Sequence, residues 1–373
     1  CHKSHDQQLP QVNIQTNGAI PWDNRCGCNI DYVTNNDSVK LSGTIKCRGG
    51  FSSKYPKFSY SLKLSEASSL CDLPANKSWV LNASYIDKTF MRHKLCYDLF
   101  RMMGDNNLSP RCAYILLRLN GKAQGLYLLT QRLNKRVLRI NTSDTAAVIF
   151  KEPNIFFPAS TAPTPAMATN PYEQTFPNYE HGYDRRKVIE DFRHFLLTSS
   201  DYEFETHIAE WVDISNIIDW QLLILFTNNG DGVLKNFYLY KQDTETPFRV
   251  AIWDCDHSFG RDGDNERNML ETETHYRRNI LFDRLMQIPD YRQTLTERYK
   301  SLRRDKIFSY QNIEKMVQEY DSLIRCGLKE NESLWPCNGD YYYDDNNYEQ
   351  EKNLLLEFVP LSLQRWDKVF GYK

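Results

Sequence analysis

Residues 225–260, LFTNNGDGVLKNFYLYKQDTETPFRVAIWDCDHSFG, hold the reading that decides the fold. Asp231 sits in a glycine-rich turn, and Asn236 follows five residues on. FYLY has strand character, and a second strand, FRVAIW, runs into Asp254, Cys255 and Asp256 before SFG. Two acidic loops joined by a hairpin bring one aspartate and an asparagine beside a second aspartate. Phosphoryl transfer requires such a set: one group to orient the attacking hydroxyl, and hard oxygen ligands for Mg²⁺. Singly, Asp and Asn are what any turn recruits. The weight lies in the set and its spacing.

Upstream of this stretch, DISNIIDWQLLILFTNN predicts a helix over 213–227, capped by Asp213 or Ser215, that delivers Asp231 from a rigid base. Helical patterns also cover about 184–200 and 202–210. Residues 153–183 carry six prolines and no periodicity, which predicts an exposed loop or lid and a boundary between lobes. AAVIFKEPN predicts a buried strand with Lys151 at its end. RCAYILLRLNGKAQGLYLLTQRL reads as two apolar strands around Asn120-Gly121, a type I′ turn signal. Asp87 is placed to cap a helix over 88–103, ended by Gly104, with Phe90, Met91, Lys94, Leu95, Leu99 and Met102 as its stripe. Arg92 and Arg101 are expected in solvent, Arg92 with reach to a neighbouring acidic site.

Further back, KFSYSLKL alternates strictly, with Phe58, Tyr60, Leu62 and Leu64 on one face and Lys57, Ser59, Ser61 and Lys63 on the other. The turn before it contains Arg48, Gly49, Gly50 and Ser52, a setting in which backbone N–H groups approach phosphates. Residues 1–38 read as a polar tether and an entry strand. Beyond Gly260 the chain is polar and then helical over 278–326 and 349–370, with an acidic, tyrosine-rich loop between. The expected organisation is therefore 1–38, a sheet-rich 39–152, the proline-rich 153–183, and a mostly helical 184–373.

The chain has 373 residues, 41% hydrophobic and 25% charged, with a formal net charge of -2. That balance supplies no basic field for nucleic acid. No run of about 18 apolar residues predicts a membrane-spanning helix. The eight histidines form no HxH or HExxH grouping, against a zinc enzyme, and no GxSxG occurs. The ten cysteines include one close pair, Cys26 and Cys28; Cys96 and Cys112 read as small buried hydrophobes. Cys326 with Cys337 is one disulfide open to an exported chain. A start at Cys1 followed by a polar leader is the pattern of a processed bacterial lipoprotein, which predicts a lipid anchor at Cys1 and an extracytoplasmic place at a membrane surface.

In protein kinases the catalytic-loop aspartate and the metal-binding asparagine are likewise five residues apart. Taken in order, IKCRGGFSSKYPKFSYSLKL, SWVLNASYIDKTFMR, LNGKAQGLYLL, VIFKEP, GDGVLKNFYLY and VAIWDCDHSFG resemble the CotH (spore coat protein H) family of atypical protein kinases over roughly 39–366. The resemblance implies an α+β, bilobal kinase-like fold with a β-rich N-lobe and a mostly helical C-lobe. It implies ATP- and Mg²⁺-dependent transfer to Ser or Thr of a protein substrate. Asp231 looks like the catalytic aspartate, and Asn236 and Asp254 look like metal ligands with Asp256 close by. Arg48, Ser52, Lys57 and Lys151 look like nucleotide-side residues. Where kinases pair a lysine with a glutamate of a helix, the 88–103 helix offers Asp98. The chain departs from the family pattern at Gln131, often acidic there, and at Phe58, commonly a second lysine. A cell-surface binding protein on a kinase-like shell, and phosphoryl or nucleotidyl transfer to another acceptor, are the alternatives.

Overall fold

A computed structural model describes residues 8–35, 37–160, 170, 172–179, 182–262, 266–270, 278–336 and 344–373. It divides the chain into two units, each assembled from separated stretches: Cys1–Lys94, Pro110–Arg132 and Lys315–Glu351 in the first, the remainder in the second. The architecture is mixed α and β, rich in sheet toward the N-terminus and in helix toward the C-terminus.

Seven strands of the first unit close into a barrel: β1 (Gln11–Thr16), β2 (Cys26–Val33), β3 (Ser38–Arg48), β4 (Ser59–Ser68), β5 (Asn76–Asn82), β6 (Cys112–Leu119) and β7 (Lys122–Gln131), in the order β1-β2-β3-β4-β5-β7-β6. Period-2 alternation builds its interior. Tyr60, Leu62 and Leu64 of β4 point inward with Ile45, Trp79, Leu81, Ile115, Leu117 and Leu129, and Phe58 packs against them, on the face the sequence predicts. The β6–β7 hairpin turns at Asn120 and Gly121, both at positive φ (49° and 79°), which a type I′ turn demands.

Residues 11–33 are no tether. Val12, Ile14, Cys28, Ile30 and Tyr32 alternate into the core, and β1 closes the barrel by pairing in parallel with β6. The hydrophilic residues between these apolar positions hide a two-residue period that was present throughout.

The second unit holds a four-stranded sheet, order β11-β10-β8-β9, built from β8 (Val148–Lys151), β9 (Gln174–Phe176), β10 (Phe237–Lys241) and β11 (Arg249–Ile252). The proline-rich stretch is more structured than its composition predicts: Ile155 and Phe156 are fully buried and β9 pairs with β8. Around the sheet come α2 (Arg186–Thr198), α3 (Asp201–Trp211) and α4 (Ile214–Thr227). Ser200 and Glu203 form a capping box on α3, and Asp213 caps α4 by accepting from Asn216 N at 3.2 Å. Further along are α5 (Ile280–Leu285), α6 (Pro289–Arg304), α7 (Tyr310–Leu334) and α8 (Tyr348–Phe370). No helix among the described residues is long and apolar enough to cross a membrane.

Helix α1 spans Arg92–Met103 and starts later than the sequence predicts. Phe90 at φ 59° breaks the approach, and the Asp87 carboxylate accepts from Thr89 N and Arg92 N. Its buried stripe ends on Met103, while Met102 is exposed. Arg92 is the larger correction. Its guanidinium is fully buried, bonded to Asp87 Oδ1 at 2.6 Å and Glu351 Oε1 at 2.8 Å, because two carboxylates distant in sequence supply the charge that burial demands. Asp98 pairs with Arg101 on the same helix. Cys96 and Cys112 are buried as predicted; Cys1 and Cys337 lie outside the described residues.

Candidate active site

Three strand ends of the second unit's sheet converge. Strand β8 ends in Lys151, paired with Tyr238, and passes directly into Glu152. Strand β10 begins immediately after Asn236, and β11 ends one residue before Trp253 and Asp254, with Phe237 opposite Ile252. The ladder continues past the strands: Trp253 N donates to Asn236 O at 3.0 Å, and Glu152 N donates to Phe237 O at 2.9 Å. Register alone therefore places Glu152, Asn236 and Asp254 at one edge.

Backbone conformation then turns their side chains. Glu152, Asn236 and Asp254 all have left-handed φ, at 49°, 61° and 54°. For residues other than glycine this conformation is uncommon, although Asn and Asp adopt it several-fold more readily than most. Asn236 Nδ2 donates to Asp254 O at 3.0 Å, which fixes the carboxamide and leaves Oδ1 without a protein donor among the described residues. On the other side Asp254 N donates to the Tyr97 hydroxyl at 3.1 Å, and Tyr97 stacks on Trp253. An oriented carboxamide oxygen beside a carboxylate fits a hard divalent cation.

Asp231 opens a short 3₁₀ turn, Asp231–Val233, reached from the end of α4 through Asn228 in the left-handed conformation. Its carboxylate pairs with Lys235 Nζ at 3.0 Å. Asp256 lies beyond buried Cys255, 3.9 Å from His257 Nε2. Burial, with Cys96 and the flanking Asp254 and Asp256 in support, pushes the Cys255 thiol far above its ordinary pKa, so it is a packed hydrophobe there.

Around these groups, charges alternate. Lys151 Nζ lies 3.2 Å from Glu173 Oε2 and 3.7 Å from Glu152 Oε2. Burial works against the Lys151 ammonium, yet Glu152, Tyr238 and Glu173 outweigh it and hold its pKa above the ordinary lysine value. Burial raises the Glu152 pKa, and Asp254 and Glu173 add to that against Lys151 and Lys235. The sequence reading passed over Glu152 and Lys235. Lys235 was legible, since a lysine next to Asn236 and four residues from Asp231 is within i,i+4 reach of that carboxylate.

The remaining predicted residues belong to the first unit. Arg48 ends β3 half-buried, and Ser52 lies in a 3₁₀ turn, Phe51–Lys54, after Gly49 at φ 137°. Lys57 is only 2% exposed. Its ammonium donates to Ala83 O at 3.0 Å, to Leu126 O, and to Asn331 Oδ1 at 2.9 Å, and lies over the Tyr127 ring at 4.3 Å. Asn331 Oδ1 also accepts from Leu126 N at 3.1 Å, and a Cβ on Gly125 would stand 2.8 Å from that oxygen. A 260 Å³ cavity beside Lys57 is lined by Tyr85, Phe90, Trp335 and Tyr348 among others. Gln131 is spent on Pro74 O and Arg111 N.

A family model described as CotH kinase protein matches residues 45–364. The chain belongs to that family. Inner spore coat protein H of Bacillus subtilis (strain 168) is 27% identical over 243 residues, 63% of this chain. The match covers 64% of that protein, so the chain spans less than two thirds of the relative's length. The CotH kinase name suggests a kinase-like function.

Proposed function

We propose that this CotH family member transfers the terminal phosphoryl group of ATP, with Mg²⁺, to a Ser or Thr hydroxyl of a protein, on a bilobal kinase-like fold. The observation that carries the reading is the coupling of Asn236 to Asp254: one bond from side chain to backbone and one along the ladder, with both residues left-handed. Asn and Asp adopt that conformation more readily than most residues, and both carry the hard oxygen that Mg²⁺ prefers.

In this reading Asp231 orients the acceptor hydroxyl and takes its proton as the oxygen bonds to phosphorus. The bond from that phosphorus to the bridging oxygen breaks, and the nucleoside diphosphate leaves with the electron pair. Asn236 and Asp254 would hold Mg²⁺, which when bound neutralises charge on the phosphates, and Asp256 stands close by. On the phosphate side Lys151 has a place at the same sheet edge; Arg48, Ser52 and Lys57 follow from the family resemblance alone.

The test is a thermal shift with ATP and Mg²⁺ on wild type and on Asp254→Ala. Ligand at about 100 times its Kd adds roughly 2.7 kcal/mol of stability. A metal-dependent shift present in wild type and lost in Asp254→Ala is expected. Equal behaviour of the two proteins removes Asp254 from the site, and no shift at millimolar nucleotide favours a binding protein without turnover.

A further inference from the structure

We propose that the first unit carries a docking groove for an extended segment of a protein partner, with a tyrosine side chain of that segment seated in the cavity beside Lys57. Every residue lining that cavity belongs to the first unit. Tyr85, Phe90, Trp335 and Tyr348 give it aromatic walls. Two of the walls are fixed from behind: Trp335 Nε1 donates to Gln124 O at 2.8 Å, and the Tyr348 hydroxyl donates to Asp321 Oδ1. A cavity of 260 Å³ with aromatic walls already held in place takes a flat ring at low ordering cost.

One polar group in the wall sets what the ring must carry. The Asn331 side chain lines the cavity and is only 6% exposed. Its Oδ1 accepts from Lys57 Nζ and Leu126 N, which fixes the carboxamide. Nδ2 is thereby held in one direction, with no acceptor among the described residues, and it selects a ligand that brings an oxygen. A charged oxygen does not qualify. The Lys57 ammonium is spent on three protein oxygens and that of Lys88 on Asp344 and Asn346, while Glu332 and Asp345 line the same cavity as exposed carboxylates. A neutral phenol suits the set: its oxygen accepts from Asn331 Nδ2 and its hydrogen is donated to Glu332.

What adjoins the cavity favours a chain over a free small molecule. A more open depression of 390 Å³ shares Leu328, Glu332, Asn347 and Tyr348 with it and continues past Arg325 and Glu349. A ring in the cavity therefore leads onto a polar surface with room for flanking backbone. An aromatic anchor in a pocket beside a polar rim is how linear segments dock.

The experiment titrates the full chain with capped Gly/Ser peptides that differ in one central residue (tyrosine, phenylalanine or phosphotyrosine), with binding read by NMR from the peptide ring protons. Turnover is not needed, so the site stands or falls apart from phosphoryl transfer. The tyrosine peptide is expected to bind with Kd of about 1 mM or tighter, and the phenylalanine peptide about three- to tenfold more weakly. Phosphotyrosine should bind at least about tenfold more weakly than tyrosine. Trp335→Ala should weaken the tyrosine peptide about tenfold or more. Glu332→Ala, an exposed change that leaves the fold intact, should narrow the preference for tyrosine over phenylalanine to less than about twofold. Equal binding of tyrosine and phenylalanine by wild type overturns the site, as does a preference for phosphotyrosine or no binding at about 5 mM peptide. An unchanged preference in Glu332→Ala, or unchanged affinity in a folded Trp335→Ala, overturns it as well. Tighter binding after Tyr341→Ser, Tyr342→Ser and Tyr343→Ser together assigns the cavity to this chain's own tyrosines, and self-association that Trp335→Ala abolishes assigns it to a second copy. Either result overturns the docking role.

Discussion

Lys57 in the barrel unit and Lys235 in the sheet unit carry the same ammonium in opposite settings. Lys57 is sealed, with three protein oxygens as acceptors and an aromatic face beside it. Lys235 stands in solvent with one carboxylate partner. A buried cation whose donors are all taken holds a structure together, because each lost bond strands an acceptor away from water. A cation with open donors next to a carboxylate costs the fold little and is available to a substrate. Both lysines belong to stretches matched by the same family model, and it is their surroundings that differ.

The largest effect expected on either side of this contrast is at Asp231, the base of the proposed reaction. Asp231→Asn should lower turnover by about 10³-fold or more, roughly 4 kcal/mol in the barrier, while the melting temperature stays near wild type. Retained activity would end the comparison, because the exposed lysine would then stand beside no base. Lys57→Met should instead cost about 3–5 kcal/mol of stability, seen as a lower urea midpoint, by stranding Ala83 O, Leu126 O and Asn331. If the folded fraction keeps its nucleotide-dependent shift, phosphate binding and structural duty are separated. Arg92→Met belongs to the sealed class and should cost about 3–5 kcal/mol, since it leaves Asp87 and Glu351 buried without their shared cation.

The smallest effect concerns Asp213, half-way between the two classes. Burial raises its pKa, but Ser215, Arg249 and the Asn216 N–H outweigh burial and hold it below the ordinary aspartate value. A depressed folded-state pKa means stability present above the unfolded value, near 3.9, and lost as pH falls through the folded one. Asp213→Ala should therefore cost about 1–2 kcal/mol at pH 7, and the gap to wild type should close below about pH 4 in melts across pH.

Local rules carried much of this into view. Alternation in KFSYSLKL, the Asn-Gly turn and the Asp213 cap depend on neighbours in sequence, and each is where the pattern puts it. The coupling of Asn236 and Asp254 was half legible: the spacing marks the residues, but only the register of β10 on β11 makes them neighbours. What escaped is long-range. Nothing near Arg92 announces Glu351, 259 residues away, and nothing near Gln11 announces that its strand closes a ring against β6. Glu152 escaped because its importance lies in burial beside Asp254 and Glu173, which a linear pattern does not encode.

The bond from Lys57 to Asn331 also sets a schedule for synthesis. The two residues are 274 positions apart, and the barrel's last strand is complete at Gln131. With about 5–20 residues added per second, Asn331 follows Gln131 by roughly 10–40 s. Through that interval the growing chain carries a finished set of strands with an unsealed lysine among them. The Lys57 ammonium gains its side-chain acceptor only once Asn331 has been made.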